Sequence, residues 1–270
     1  MEPAKKSQSA NNNCIMELQE VLIFDTETTG IPEKGATWDM DYEGFPHIVQ
    51  LAWMIGDKIE THIIKPDGWE IPEDATEIHG ITNAMANESG EPFGIVIDQF
   101  IEDCINSPLI CGHNIHFDTS VIKANIIREL GWDYYEAAKV EAALYKGKRI
   151  DTMRPTMKWV DARTANGRLK FPRLEELYSR CFPGETFPAH DAAEDVKAVA
   201  RCLPVILEKG LIELKVKEYA EENAESAEKA IKSPITNANE KDGKLPVSPV
   251  QAPQIENSEK ITELLQQNDF

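Results

Sequence analysis

The apolar pattern of this chain alternates between short unbroken runs and longer periodic stretches. Val21–Phe24 is four apolar residues in a row, mostly β-branched or aromatic, which suits a central strand covered on both faces. Gly30 and Pro32 end it, and the loop Ile31–Pro46 sets Trp38, Tyr42 and Phe45 among Asp39, Asp41 and Glu43. His47–Gly56 alternates as a second strand, with Val49, Leu51, Trp53 and Ile55 expected on one face. Ile59–Ile64 returns across Gly56-Asp57-Lys58 as a β-hairpin. Pro72–Glu77 opens a short helix that stops at His79-Gly80. Phe93–Ile105 has the helical period, with Phe93, Val96, Ile97, Phe100 and Ile101 on its apolar face.

Beyond it, Leu109–Cys111 is a brief buried strand closed by Gly112. His116–Leu130 is a helix buried through Phe117, Val121, Ala124 and Ile127, stopped by Gly131. Arg149–Asp151 is a last short strand, followed by helices at Thr152–Val160, Pro172–Cys181 and His190–Leu207. The last of these carries the stripe Ala193, Val196, Ala200, Leu203 and Leu207. Strands interleaved with helices in this order make a mixed α/β fold.

Composition divides the chain into three parts. Residues 1–18 are polar and rich in Asn, Ser and Lys, a disordered leader. Residues 19–208 hold the periodic segments and form the one domain. Residues 209–270 turn rich in Glu, Lys, Pro, Asn and Gln, a flexible, low-complexity and partly helical tail. No apolar run is long enough for a signal peptide core or a membrane span. Five cysteines, odd in number and without a CxxC pair, read as reduced thiols of a cytoplasmic protein.

The net charge of -19 argues against a general coat on nucleic acid, which is bound through cationic contacts to phosphate. Residues 209–270 hold 8 basic and 12 acidic side chains, so the first 208 residues carry -15 of the total. One stretch runs against this. Lys146, Lys148, Arg149, Arg154, Lys158, Arg163, Arg168, Lys170 and Arg173 face only Asp151 and Asp161, a local excess of +7. Such a strip suits a single-stranded backbone, with Lys148, Arg163 and Lys170 expected among its contacts, unless it is merely a solvated helix face and loop.

Candidate chemistry lies at three points. Asp25 and Glu27 follow the first apolar run one residue apart, so their side chains leave the strand on one side while Thr26 leaves on the other. Two like charges near a buried edge repel unless a cation sits between them, and hard oxygen ligands suit Mg²⁺ or Mn²⁺; solvated acids at a strand end are the alternative. Asp118 lies in Gly112-His-Asn-Ile-His-Phe-Asp118, within the first turn of a helix for which Asn114 is a candidate cap. Compensation of the helix dipole alone would also explain it. In His190-Asp-Ala-Ala-Glu-Asp195 the histidine stands at a helix start, about a turn before Asp195, as a cap or as a group standing over a metal that Asp195 holds.

FDTETTG, HNIHFD and HDAAEDV, in this order, resemble the three motifs of the DEDDh 3′→5′ exonuclease family, and most nearly the proofreading epsilon subunit of bacterial replicative DNA polymerase. The likeness covers about residues 20–208, and Glu77-Ile-His-Gly-Ile-Thr82 shares in it. It implies an RNase H-like mixed central sheet flanked by helices and a two-metal mechanism using Mg²⁺ or Mn²⁺. Carried over by position, Asp25, Glu27 and Asp195 are direct ligands with Asp25 bridging, Asp118 completes the four acids, and His190 is the general base. Thr28, Asp74 and His79 lie where the terminal nucleotide is held. The implied substrate is a single-stranded or frayed DNA 3′ end, with RNA ends as the alternative. A module that binds a polymerase without catalysis is a further alternative, and the tail is a candidate tether to such a subunit.

Overall fold

The computed structural model describes residues 20–131 and 137–213; the leader 1–18 and the tail beyond residue 213 lie outside them. Five strands make one mixed sheet. They are β1 (Val21–Thr28), β2 (Ile48–Ile55), β3 (Lys58–Ile63), β4 (Leu109–Gly112) and β5 (Arg149–Asp151), in the order β3-β2-β1-β4-β5. β1 is antiparallel to β2 and parallel to β4, and β4 is parallel to β5. The first apolar run is therefore the middle strand, as its unrelieved hydrophobicity requires. It runs on through Asp25 and Glu27 to Thr28, short of Gly30 and Pro32, with both acids inside the strand.

The helices are α1 (Glu73–His79), α2 (Asn83–Ser89), α3 (Phe93–Asn106), α4 (Ile115–Leu130), α5 (Ala137–Ala143), α6 (Met153–Val160), α7 (Leu174–Cys181) and α8 (Ala192–Glu208). Their two layers separate the two faces of β1. Leu22 and Phe24 face a core shared with α3 and α4, where Phe100 meets Phe24 and Trp53 edge-on at 5.1 and 5.5 Å. Val21 and Ile23 face a second core built with α7 and α8. α2 is an element the pattern does not announce. It is seven residues long, and its start is secured by the Thr82 hydroxyl, which accepts the Met85 amide.

Three expectations change in the fold. Val49 does not join Leu51 and Trp53. The pairing of β1 with β2 slips between Glu27 and Thr28, so Ile48 enters the core of α3 and α4 while Val49 packs with Ile71, Ala75, Ile81 and Ala86 under α1 and α2. A bulge reverses the alternation, which no period-2 pattern can show. The α4 helix is buried nearly all round from Asp118 to Ile126 rather than along one stripe, and Phe117 is only partly buried. In α8 the buried set is Ala192, Val196, Ala198, Val199, Cys202, Leu203 and Ile206, turned from the expected stripe, so that Ala193, Ala200 and Leu207 flank it.

The basic strip is also not what its composition suggests. Lys148 is 2% exposed, and its ammonium donates to the carbonyls of Cys104 and, at 3.0 Å, Ser107. It closes the C-terminal end of α3, where unpaired carbonyls and the helix dipole favour a cation. Arg149 bonds the Leu144 carbonyl, Arg163 pairs with Asp161, and Lys170 with Glu176. Arg154, Lys158, Arg163, Arg168 and Arg173 are the strip's exposed cations among the described residues, with Arg154 beside Asp151 as Arg163 is beside Asp161. No helix of the described residues is long and apolar enough to cross a membrane.

Candidate active site

The site forms where β1 outruns its neighbour. β4 is paired with β1 only as far as Cys111 opposite Ile23, then turns at Gly112 into α4. A side chain at Gly112 would press on the Phe24 carbonyl and Ile115, so glycine lets the turn pass close to β1. On that side, Asp25 and Glu27 extend beyond the β4 ladder, at the carboxyl ends of parallel strands where open α/β sheets place their ligands.

Asp25 and Glu27 leave β1 on the face covered by α8, which brings Asp195 to them. Ligand oxygens of these three carboxylates all lie within 4.8 Å of one another. Asp118 arrives from the opposite face, on the first turn of α4. Thr26, which points that way, joins it to the strand: its hydroxyl donates to Asp118 Oδ1 at 2.7 Å. Asn114 takes the cap position of α4 in a left-handed conformation, but its side chain caps nothing; its amide donates to Asp151 Oδ1 at 3.1 Å instead.

Burial and mutual repulsion set the charge of this cluster. The Glu27 carboxyl is pushed up to about 8 by burial, then by Asp195, Asp118 and Asp191. Asp195 rises to about 7, through burial first and the surrounding acids Glu175, Asp191 and Asp118. Asp118 rises to about 7 by burial, held from going higher chiefly by the Thr26 hydrogen bond. Asp25 is raised well above the carboxylate range by burial and by Asp118, Asp195 and Glu27. Asp195 Oδ1 is buried with no hydrogen-bond partner among the described residues. Converging carboxylates, mutual repulsion and an orphan oxygen fit a hard divalent cation with oxygen ligands.

His190 stands at the edge, in a left-handed conformation at φ 69°. It is not the helix cap. Asp191 is, accepting the amides of Ala193 and Glu194. The His190 amide donates weakly to Asp195 Oδ2 at 3.4 Å, and its half-exposed ring has Nε2 3.7 Å from Glu175 Oε1. Glu175, on α7, is a partner that the sequence alone did not single out.

Of the three residues expected at the nucleotide, His79 is the one tied electrostatically to the site. Its imidazole is held below the ordinary range by burial and by the charge of His190. Nδ1 accepts the Ile81 amide at 3.1 Å, so the ring proton sits on Nε2, which is buried and without a partner among the described residues. Thr28 donates to the Gly30 carbonyl at 2.7 Å, and Asp74 accepts the Ala75 amide in the first turn of α1. The aromatic loop packs onto the domain: Phe45 is in the core, Trp38 and Tyr42 lie against it, and Lys123 sits 4.5 Å over the Trp38 ring.

A family model described as an exonuclease of the RNase T type matches residues 22–203. The chain belongs to this exonuclease family. The matched span runs from the second residue of β1 into α8 and so includes every acid of the cluster and His190. No curated protein matches the chain.

Among solved structures, exonuclease I of E. coli in complex with a dT13 oligonucleotide is 22% identical, with a TM-score of 0.52, over 69% of this chain and 40% of that one. The same enzyme with a dA16 oligonucleotide is 23% identical, with a TM-score of 0.52, over 71% and 41%. Exonuclease X with 5′ overhanging duplex DNA is 21% identical over 77% of this chain and 99% of that one, with a TM-score of 0.45. The likeness to exonuclease I is one of fold, and this chain spans about two fifths of that protein's length.

Proposed function

We propose that this family member is a 3′→5′ exonuclease that hydrolyses phosphodiesters at DNA 3′ ends, releases nucleoside 5′-monophosphates, and serves proofreading or repair. The convergence of Asp25, Glu27 and Asp195 from β1 and α8, with Asp118 completing the set from α4, carries this reading. In it, Asp25, Glu27 and Asp195 would hold the divalent ions, Asp25 as the ligand shared between them, and Asp118 would assist them. Two Mg²⁺ or Mn²⁺ ions, when bound, would supply charge stabilisation for the attacking and leaving oxygens of an in-line displacement.

The remaining roles fall to side chains around the acids. His190, half exposed at the lip with Glu175 3.7 Å from its Nε2, takes the proton of the attacking water. His79 offers its Nε2–H to an oxygen of the terminal nucleotide, with Thr28 and Asp74 beside the same nucleotide. The exposed Arg154, Lys158, Arg168 and Arg173 supply the positive path for a single strand in an otherwise acidic domain. The DNA bound in the exonuclease I structures is consistent with such a strand. Residues 209–270 are the candidate tether to a polymerase subunit.

The deciding experiment offers end-labelled single-stranded DNA, duplex DNA with a mismatched 3′ end, and RNA, each with Mg²⁺ or with EDTA. Stepwise shortening from the 3′ end of DNA, lost with EDTA and in Asp25→Ala, is expected. Preference for RNA would move the substrate to RNA ends, and cleavage that survives EDTA or Asp25→Ala would overturn the mechanism.

A further inference from the structure

Gln50 is an uncharged polar side chain in the middle of β2, in the run Ile-Val-Gln-Leu-Ala-Trp-Met-Ile, and it is 6% exposed. It stands directly across the ladder from Glu27 and shares that residue's face of the sheet. Its carbonyl, Oε1, accepts the backbone amide of Ala192 at 2.9 Å, and its amide nitrogen approaches the Thr61 hydroxyl at 3.5 Å.

Ala192 is the first residue of α8 and is fully buried. A helix start leaves its first amides without partners inside the helix. Here Asp191 takes those of Ala193 and Glu194 with its carboxylate and that of Asp195 with its carbonyl. The Ala192 amide goes to Gln50. Of these four bonds it is the one that leaves the helix start and reaches the sheet.

We infer that Gln50 is a positioning residue for the metal centre, fixing the start of α8, and with it His190 and Asp195, against the strand that carries Asp25 and Glu27. The inference rests on the reading of that centre given above. The chemistry of the side chain supports it. The position needs an acceptor on a sheet face crowded with carboxylates. A glutamate would accept equally well but would add a charge beside Glu27, whose carboxyl burial and nearby acids already lift. An amide accepts without that charge. Leucine has the same bulk and would leave the buried Ala192 N–H unpaired.

The test compares wild type with Gln50→Leu and the milder Gln50→Asn, whose acceptor is one methylene shorter. Hydrogen exchange on metal-free protein should show the amides of residues 192–195 losing about tenfold or more of their protection in Gln50→Leu while β1 keeps its own. Mn²⁺ affinity, by paramagnetic resonance titration, should fall about tenfold to a hundredfold, the usual effect of removing a group that orients ligands. Turnover should fall with it at nearly constant KM for an end-labelled oligonucleotide. Gln50→Asn should shift the same quantities less, and it decides the matter if Gln50→Leu does not fold.

Unchanged exchange at residues 192–195 together with unchanged Mn²⁺ affinity would overturn the assignment, as would a general loss of stability that leaves both in proportion. A wild-type protein without end-directed cleavage in any metal would refute the exonuclease reading separately. The exchange and Mn²⁺ titrations would still judge Gln50.

Discussion

Thr26 and Asp118 meet at 2.7 Å from opposite sides of the site's construction, one on β1 between the two strand acids, the other on the first turn of α4. Both are buried, at 7% and 3% exposure. The alternation that sends Thr26 away from Asp25 and Glu27 is what lets it catch the fourth acid. Threonine here is a structural part of the acid cluster.

Removing that hydroxyl should be felt as a pH effect. The hydrogen bond opposes the burial that raises Asp118, so Thr26→Val should lift its carboxyl above the present value of about 7. The acidic limb of the pH–rate profile should move to higher pH, with more Mg²⁺ needed for half-maximal activity at pH 7. The lost bond should also cost about 1 kcal/mol of stability in urea titrations.

The metal-free protein should lose stability as the pH rises. Carboxyls raised in the folded state bind more protons there than in the unfolded chain, so the slope of unfolding free energy with pH is negative between the two pKa values. That window runs from the ordinary carboxylate range near ~4 up to about 8, the value of Glu27. In EDTA, the melting temperature should fall from pH 5 to pH 8.5. Added Mg²⁺ should restore more at pH 8 than at pH 5.5, because binding must displace protons at the lower pH. Calorimetry across the range checks the sign.

Asp25→Asn should stabilise the metal-free protein at pH 8 while abolishing cleavage. It removes one charge from a cluster in which Asp118, Asp195 and Glu27 all disfavour it. A gain of about 1 kcal/mol or more by denaturant titration in EDTA is expected, the trade common at functional sites. Mg²⁺ should stabilise this variant less than the wild type.

Lys148 should matter to the fold and not to nucleic acid. Lys148→Met leaves two carbonyls at the end of α3 without their cation and should cost about 2 kcal/mol. The salt dependence of oligonucleotide binding should stay as in the wild type. Replacing Lys158 and Arg168 together by glutamine should flatten that dependence, since both are exposed. Fluorescence anisotropy over a salt series separates the two.

His190→Ala should lose most turnover while Mn²⁺ binding and oligonucleotide affinity change little. Its ring is half exposed, and only its backbone amide touches Asp195. Single-turnover kinetics beside equilibrium binding make the distinction. A matching loss of metal affinity would reassign the residue to holding the ion.

The strands, six of the eight helices and the three acid motifs could be read directly from the chain because each depends on local pattern. Val21–Phe24 has nothing polar to expose, so it had to be central. Gly112 and Gly80 mark turns where the backbone approaches closely or takes a positive φ. Where a local pattern had a long-range competitor, the reading failed. The bulge opposite Glu27 moved Val49 to another cluster, the C-terminal end of α3 drew Lys148 inside, and Asp191 rather than a neighbour became the cap of α8. Gln50 could have been noticed as the one polar residue in an apolar strand, but nothing in the chain names Ala192 as its partner.

By itself, then, the sequence determined that a strand ending in Asp25 and Glu27 lies at the centre of a mixed sheet, and it set out the ordered motifs whose resemblance implies a shared chemistry for Asp118, His190 and Asp195. These follow from alternation, apolar runs and ordered motifs, which are properties of neighbours along the chain. Tertiary structure decided which carboxylates share one centre, that Thr26 ties Asp118 in while Gln50 ties down α8, and that the cations of the basic strip divide between the fold and the surface. Those outcomes turn on which buried polar groups find partners across the fold, and burial is a property of the folded chain as a whole.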